Sequence, residues 1–182
     1  MNARSRCGLA LFVLCLAAAP SWAQEPGDKG ITISAPSAIG FIWHLSPRVA
    51  IRPEVSFSFG GVDGEGSTPD LSSHSFSLGA GALFYTGHWD NLRTYVSPRL
   101  SYHWNSSSYE SGMTTIDTTN DAWSFAGSFG AQYSLGTRFA VFGEAGVQYG
   151  TATSEAPSVF GSVERTTWSF GTRTQLGVNF YF

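Results

Sequence analysis

The sequence predicts an all-β protein, an antiparallel up-and-down transmembrane β-barrel of eight strands. Apolar residues alternate with small or polar ones along most of the chain, and short connections alternate with long polar ones. The composition agrees, because 15% of the residues are aromatic and only 13% are charged, about half the charged fraction of a soluble domain. The net charge of -3 excludes a basic nucleic-acid-binding protein, so we expect no nucleic acid partner.

Residues Met1–Ala23 have the parts of a secretory signal peptide. Arg4 and Arg6 supply the positive charge at the start of this segment. Leu9–Ala19 is apolar but too short to span a bilayer as a helix. Ser21–Ala23 places small residues at the two positions that signal peptidase recognises. We therefore expect the chain to be exported and cleaved directly after this segment.

Cleavage leaves residues 24–182 as a single barrel domain, a length that suits one domain. Both cysteines, Cys7 and Cys15, lie in the removed segment. The mature chain is therefore expected to contain no disulfide and no thiolate metal site. No stretch of about 18 consecutive apolar residues remains after cleavage, so the sequence predicts no transmembrane helix.

Seven segments of the mature chain alternate with a period of two and are predicted as strands. Each has an apolar face and a face of Ser, Gly, Gln, Arg or other polar residues. The apolar faces begin, in chain order, at Ile39, Val49, Phe76, Leu92, Trp123, Phe139 and Trp168. A soluble ligand-binding barrel is the alternative fold, but it would turn the apolar face inward and place many charges outside.

An eighth strand is predicted because membrane barrels of this kind have an even number of strands. Gly30–Ala35 is the candidate, with a turn near Pro36 and Ser37. The alternation continues in one phase from Ile31 to Trp43, which favours a single irregular strand instead. Both interpretations remain open at this point, and eight strands is our prediction.

The connections between the predicted strands fall into two classes. The short turns are Leu45–Arg48, Gly87–Asn91 and Leu135–Thr137. The long polar loops are Gly61–Ser73, Ser106–Asp121 and Thr151–Arg165. Short inner turns and longer outer loops are typical of transmembrane barrels. The charged residues of the long loops are mostly carboxylates, so the sequence predicts an acidic outer surface.

A weak internal repeat places charged residues at one depth of the polar face. Two similar turn units each contain an Arg followed six residues later by a Glu, which is Glu54 in the first unit and Glu144 in the second. In the corresponding third unit the second position is Arg99, and Arg173 is expected at a similar depth on the last strand. The predicted lumen cluster comprises Glu54, Arg99, Glu144, Arg173 and Arg52.

Unpaired charges are costly inside a small barrel, so these side chains are expected to pair. The pairs would plug the lumen as a rigid core, with Gln132, Gln148 and His103 adding hydrogen bonds. A pore that opens by exchanging ion pairs is the alternative. We expect Glu144→Gln to destabilise the barrel if the cluster exists.

The sequence predicts no catalytic, metal or cofactor site. Ser101 and His103 share a polar face, but no acid accompanies them, and a triad needs three converging groups. The histidines lie on different segments without ligand spacing. These histidines are His44, His74, His88 and His103. We therefore expect the chain not to be an enzyme.

Together these features resemble small bacterial outer-membrane β-barrel proteins of the OmpA/OmpX-like, porin-family type. The resemblance covers residues 30–182 and is most specific at the last strand, which alternates and ends on an aromatic residue. The outward residues of that strand are Leu176, Val178, Phe180 and Phe182. The resemblance implies that this strand is the signal for the outer-membrane assembly machinery. It also implies a place in the bacterial outer membrane, among its lipid and lipopolysaccharide.

Members of this family anchor, adhere, pass small solutes or contact hosts, so the resemblance implies a location more than an activity. The function we predict is structural, anchoring or surface interaction, with a plugged polar lumen and acidic outer loops. A narrow porin for small solutes is the alternative, and a lipid-modifying membrane enzyme is the third class. The sequence names no partner for the loops.

Overall fold

The barrel consists of eight antiparallel strands in a computed structural model that describes residues 27–36, 38–62, 70–111, 114–158 and 161–182. The strands are β1 (Lys29–Ala35), β2 (Ala38–Ser46), β3 (Val49–Val62), β4 (Asp70–Trp89), β5 (Leu92–Ser111), β6 (Thr114–Ser134), β7 (Phe139–Ser158) and β8 (Gly161–Tyr181). Each strand pairs with its neighbours in the sequence, and β1 pairs with β8 to close the barrel. The all-β up-and-down prediction is confirmed. The predicted signal peptide lies outside the described residues.

The eighth strand exists, and the register of β1 with β2 explains why the alternation did not reveal it. Lys29 pairs with Trp43 and Ile33 with Ile39, so paired residues are both odd or both even in number. Directly paired residues point to the same face of a sheet. The outward phase therefore continues unchanged through a turn at Pro36, and a continuous phase did not exclude that turn.

Two long polar segments predicted as loops, Ser106–Asp121 and Thr151–Arg165, are strand wherever the structure describes them, which corrects the sequence prediction. Most of the predicted loop Gly61–Ser73 lies outside the described residues. Pairing of β5 with β6 extends from Leu92↔Tyr133 to Ser111↔Thr114, and pairing of β7 with β8 continues to Ser158↔Gly161. The apolar alternation ends partway along these strands, but the backbone ladder does not need an apolar face. Ser and Thr side chains support it, as where Ser108 Oγ donates to Asp117 Oδ1 over 2.6 Å.

The two faces of the sheet are the reverse of those in a soluble barrel. Large apolar side chains are exposed on the outside of every strand, and Trp168 reaches 73% exposure. The fully buried polar or charged side chains point inward, among them Arg52, His44, Gln132 and Asn179. An apolar exterior with a polar interior is the arrangement of transmembrane barrels. In the part of the chain described, no helix is long and apolar enough to cross a membrane.

Candidate functional site: the lumen

Four charged side chains from three strands form a closed group inside the barrel, here called the lumen ring: Arg52, Glu54, Arg99 and Glu144. Arg52 Nε lies 3.0 Å from Glu54 Oε1, and Arg52 also donates to Glu144. Arg99 donates to Glu54, and its Nη2 lies 3.6 Å from Glu144 Oε2. Each carboxylate thus contacts two guanidinium groups. All four side chains are at most 6% exposed, so their charges are compensated within the ring.

Neighbouring side chains hold the lumen ring in place. Tyr95 Oη donates to Glu144 Oε1 over 2.9 Å. Gln175 Nε2 donates to Glu54 Oε1 over 3.2 Å and to Ser34 Oγ over 2.6 Å. These contacts connect the ring to β1, β5 and β8. The ring is therefore anchored to strands on several sides of the barrel.

Tyr95 fits because the residue opposite is a glycine. A Cβ atom at Gly130 would lie 2.5 Å from Cε2 of the Tyr95 ring. Such a distance is far inside van der Waals contact, so only glycine leaves room for the ring here. Tyr95 pairs with Gly130 across β5 and β6, and its hydroxyl group reaches Glu144 of the lumen ring.

The lumen on the short-turn side of the ring is filled with aromatic and polar side chains. The Arg93 guanidinium lies 4.0 Å from the centre of the Tyr85 ring and donates to the carbonyl of Pro47 over 2.6 Å. Asn179 Nδ2 donates to Gln132 Oε1 over 3.1 Å. His44 stacks on Tyr85, and Tyr181 also lies in this layer. A small barrel filled in this way has a packed core.

Arg173 lies beside the lumen ring and not within its salt bridges. Its Nη2 donates to Gln175 Oε1 over 2.8 Å, and its Nη1 donates to Gln148 Oε1 over 3.5 Å. Among the described residues it forms no ion pair with a carboxylate. The sequence predicted Arg173 at the depth of the charged cluster. Arg52 lies in the ring because it is two residues from Glu54 on the same inward face of β3. Two arginines and two glutamates make the ring neutral, so Arg173 is an additional positive charge.

Above the ring, toward the long ends of the strands, the lumen widens into a cavity of about 700 Å³, here called the vestibule. Glu54, Arg99 and Arg173 line its floor, and Ser, Thr and Gln side chains line much of its wall. The charged and hydroxyl-bearing side chains in its lining indicate a hydrated space. Among the described residues, the lumen is thus closed on the short-turn side of the ring and widens on the other side.

The barrel wall is incomplete beside the vestibule. In the described strands, β2 pairs with β3 no farther than Val55, and β1 pairs with β8 no farther than Leu176. However, β3 continues to Val62 and β8 starts at Gly161, so each has an edge without a strand partner above Pro36. This gap exists because β1 and β2 have only 7 and 9 residues, whereas β8 has 21.

The candidate catalytic residues do not form a triad in the described structure. Ser101 Oγ lies 2.7 Å from Ser124 Oγ, while His103 Nδ1 lies 2.5 Å from Ser77 Oγ. No carboxylate of a described residue forms a hydrogen bond with His103 that would orient its ring. In the same residues, no group of three potential ligands could hold a metal ion. The arrangement fits polar lining of the lumen.

The fold and the lumen define a class, the small β-barrels of outer-membrane type. No protein-family model and no curated protein matches this sequence. Among solved structures, the chain is similar to a major outer membrane protein from Thermus thermophilus, with a TM-score of 0.60 and 13% identity over 85% of this chain and 98% of that chain. It is also similar to Ail, the attachment invasion locus protein of Yersinia pestis, with a TM-score of 0.53 and 12% identity over 87% and 100%.

At these identities the similarity shows the fold. The predicted resemblance to small outer-membrane barrels is therefore confirmed at the level of the fold. The location predicted from the sequence, the bacterial outer membrane, agrees with these neighbours.

Proposed function

We propose that this protein is an outer-membrane barrel with a closed lumen, and that its role is anchoring or surface interaction. The lumen ring carries this proposal, because it crosses the barrel interior with compensated, buried charges. The packed layer on its short-turn side adds a second barrier, which includes fully buried His44 and Gln132. An ion crossing this interior would have to break several charge-assisted hydrogen bonds.

The exterior supports the membrane location. Two aromatic girdles flank an apolar belt, as expected for a barrel in lipid. The girdle at the short turns includes Trp43, Trp89, Tyr133 and Phe182. The girdle at the long ends includes Phe59, Trp104, Trp123, Tyr149 and Trp168. We propose that lipid and lipopolysaccharide surround this belt, and that the assembly machinery recognises the last strand at Leu176, Val178, Phe180 and Phe182.

The strands that project beyond the outer girdle support a surface role. They present exposed hydroxyl groups and carboxylates, including those of Asp117 and Glu155. Paired strands hold these groups in fixed positions, which suits recognition better than a mobile loop does. The proposal is for a non-catalytic protein, since His103 contacts a serine and no described carboxylate.

Single-channel recording in planar bilayers tests the closed lumen. We expect the inserted mature chain to give no stepwise current. Insertion is checked in vesicles of the same lipids by the heat-dependent gel shift that a closed barrel shows. Stepwise current through inserted, unaltered chain would contradict the proposal.

A narrow porin is the second candidate function, and one observation favours it. Each glutamate of the ring contacts two arginines, and the Arg99 contact with Glu144 is longer at 3.6 Å. Exchange of partners within the ring would open a path from the vestibule. Stepwise currents that disappear in Glu144→Gln would identify this function.

A further inference from the structure

The gap between β3 and β8 lies beside the outer half of the apolar belt. The turn at Pro36 forms the lower edge of the gap. Outward-facing Phe57 and Phe170 flank the gap within the belt. The 7 residues of β1 rise about 16 Å when tilted by about 45°, compared with an apolar band of about 25 Å. The wall is therefore complete at the inner leaflet and interrupted at the outer leaflet.

The gap connects the vestibule with the lipid side of the barrel. The vestibule is lined by inward-facing Arg173 and Gln175 and also by outward-facing Val55 and Thr172. A cavity lined from both faces of one strand extends around that strand's edge. In agreement, every residue from 162 to 172 is exposed, on both faces of β8.

The chemistry of the opening indicates what occupies it. Backbone N–H and C=O groups on unpaired strand edges need hydrogen-bond partners at membrane depth. The floor of the vestibule carries Arg173, which has no ion pair with a described carboxylate. A guanidinium group binds oxyanions through paired N–H donors. An amphiphile matches this surface, because its anionic headgroup can bind the Arg173 guanidinium and its apolar chain can lie beside the apolar belt.

We propose that the gap is a lateral portal for an anionic amphiphile of the outer leaflet. Its phosphate or carboxylate headgroup enters the vestibule and binds Arg173, while its alkyl chain remains in the bilayer beside Phe57 and Phe170. This portal rests on the proposed membrane location. It adds a lipid-binding site to a barrel whose lumen is closed below.

Photo-crosslinking in phosphatidylcholine vesicles tests the portal, with a dodecyl phosphate probe that carries a diazirine near its headgroup. We expect labelled peptides to concentrate at residues 55–59 and 168–175. Arg173→Gln should lower this labelling about ten-fold, the loss expected for a charge-assisted hydrogen bond. Arg165→Gln, an exposed arginine on the same strand, should leave it unchanged. A dodecyl phosphocholine probe of the same design should label these positions no more than the rest of the belt.

Two glycines provide a matched pair of steric variants. A Cβ atom at either Gly171 or Gly127 would have nothing within 4 Å, so both positions accept a larger side chain. Gly171 faces the vestibule, where Trp would block the portal, whereas Gly127 is on the lipid side of β6, away from the gap. We expect Gly171→Trp to abolish the localised labelling and Gly127→Trp to retain it.

Several outcomes would overturn the portal. Labelling spread evenly around the belt, or unaffected by Arg173→Gln and Gly171→Trp, would exclude a specific site. Complete competition by inorganic phosphate would show that the ligand comes from water. Quantitative disulfide dimers of Ser58→Cys without labelling would place a second copy of the chain in the gap. A chain without a heat-dependent gel shift overturns the membrane location itself, while a shifting chain with even labelling overturns the portal alone.

Discussion

Glu144 connects the lumen ring with the packing around it. Its carboxylate accepts hydrogen bonds from Arg52 and Tyr95, and it lies near Arg99. Removing one partner of a buried ion pair leaves the others without compensation, which is more damaging than removing the whole pair. The ring therefore depends on each of its two carboxylates.

Glu144→Gln should lower the free energy of unfolding by about 3–5 kcal/mol, because two arginines would then share one carboxylate. Urea titration followed by gel mobility would measure this loss. Glu155→Gln on the same strand is the control, since Glu155 is exposed. Adding Arg52→Gln to Glu144→Gln should restore part of the stability, and simple additivity of the two losses would argue against the ring.

Gly130→Ala should destabilise the barrel by about 1–3 kcal/mol, the usual cost of overpacking. The added methyl group would displace the Tyr95 ring and weaken its hydrogen bond to Glu144. Gly127→Ala is the control, because the space beside it is open. Equal unfolding midpoints for the two variants would contradict this account.

Individual lumen residues were predictable where alternation alone decides their direction. Glu54, Arg99 and Glu144 were assigned to one interior layer from a repeat and a period of two. The choice between Arg52 and Arg173 as the fourth member depends on the shear between strands and on side-chain reach. A single sequence contains neither quantity, so the partner of each charge could not be derived.

At the scale of single strands, polar segments predicted as loops form paired strands, which changes how the outer surface is expected to respond to a protease. Residues 151–165 were predicted as a loop, but Ser154 pairs with Arg165 and Thr153 with Thr166 in the ladder. Sequence patterns detect a strand through one apolar face. The pattern disappears when water bathes both faces, although the backbone hydrogen bonds persist, so strand ends above the membrane were missed.

Trypsin added to intact cells should leave the chain uncut at Arg165. A paired strand does not enter a protease active site as a mobile loop does. Heat-unfolded protein should be cut at the same bond, which controls for sequence preference. Mass spectrometry of the fragments distinguishes the cases, and rapid cleavage on cells would restore the loop interpretation.

A substitution at the end of β8 can distinguish the stability of the folded barrel from its assembly into the outer membrane. Phe182 is 67% exposed, and its backbone N–H donates to the Lys29 carbonyl over 3.0 Å, a bond that any non-proline residue can make. Phe182→Ser should therefore leave the unfolding midpoint in detergent nearly unchanged. If the last strand carries the proposed assembly signal, this variant should lower the amount in the outer-membrane fraction.

Trp89→Ser is the matched control for this variant, since Trp89 is 61% exposed at the same rim. Its yield in the outer membrane should stay normal. Equal yields of the two variants would show that the terminal aromatic residue has no special role in assembly.

For the whole molecule, closure of the hydrogen-bonded ladder governs stability. Every strand has two partners along at least part of its length, so no strand can leave the sheet alone. The class of fold was predictable because the alternation, the aromatic-rich and charge-poor composition and the two classes of connection all point to it. The length of β1 and β2 was not, and the gap in the wall follows from that length.

The folded chain should resist SDS until it is heated. Boiled and unboiled samples of the outer-membrane fraction should therefore migrate differently, because the closed barrel stays compact in the unboiled sample. Gel electrophoresis with immunodetection provides the measurement. A protein recovered in the soluble periplasmic fraction, with identical mobility in both samples, would contradict the membrane location.

The buried packing of the lumen lies on one side of the ring, whereas the tips of the long strands beyond the outer girdle are expected to meet water on both faces. Amino-acid replacements near the inner girdle must satisfy a crowded interior, but replacements near the tips need only preserve pairing. The tips should therefore accept many substitutions, whereas the packed half should accept few. In this chain, tolerance to substitution should change along the axis of every strand, and not between one stretch of sequence and the next.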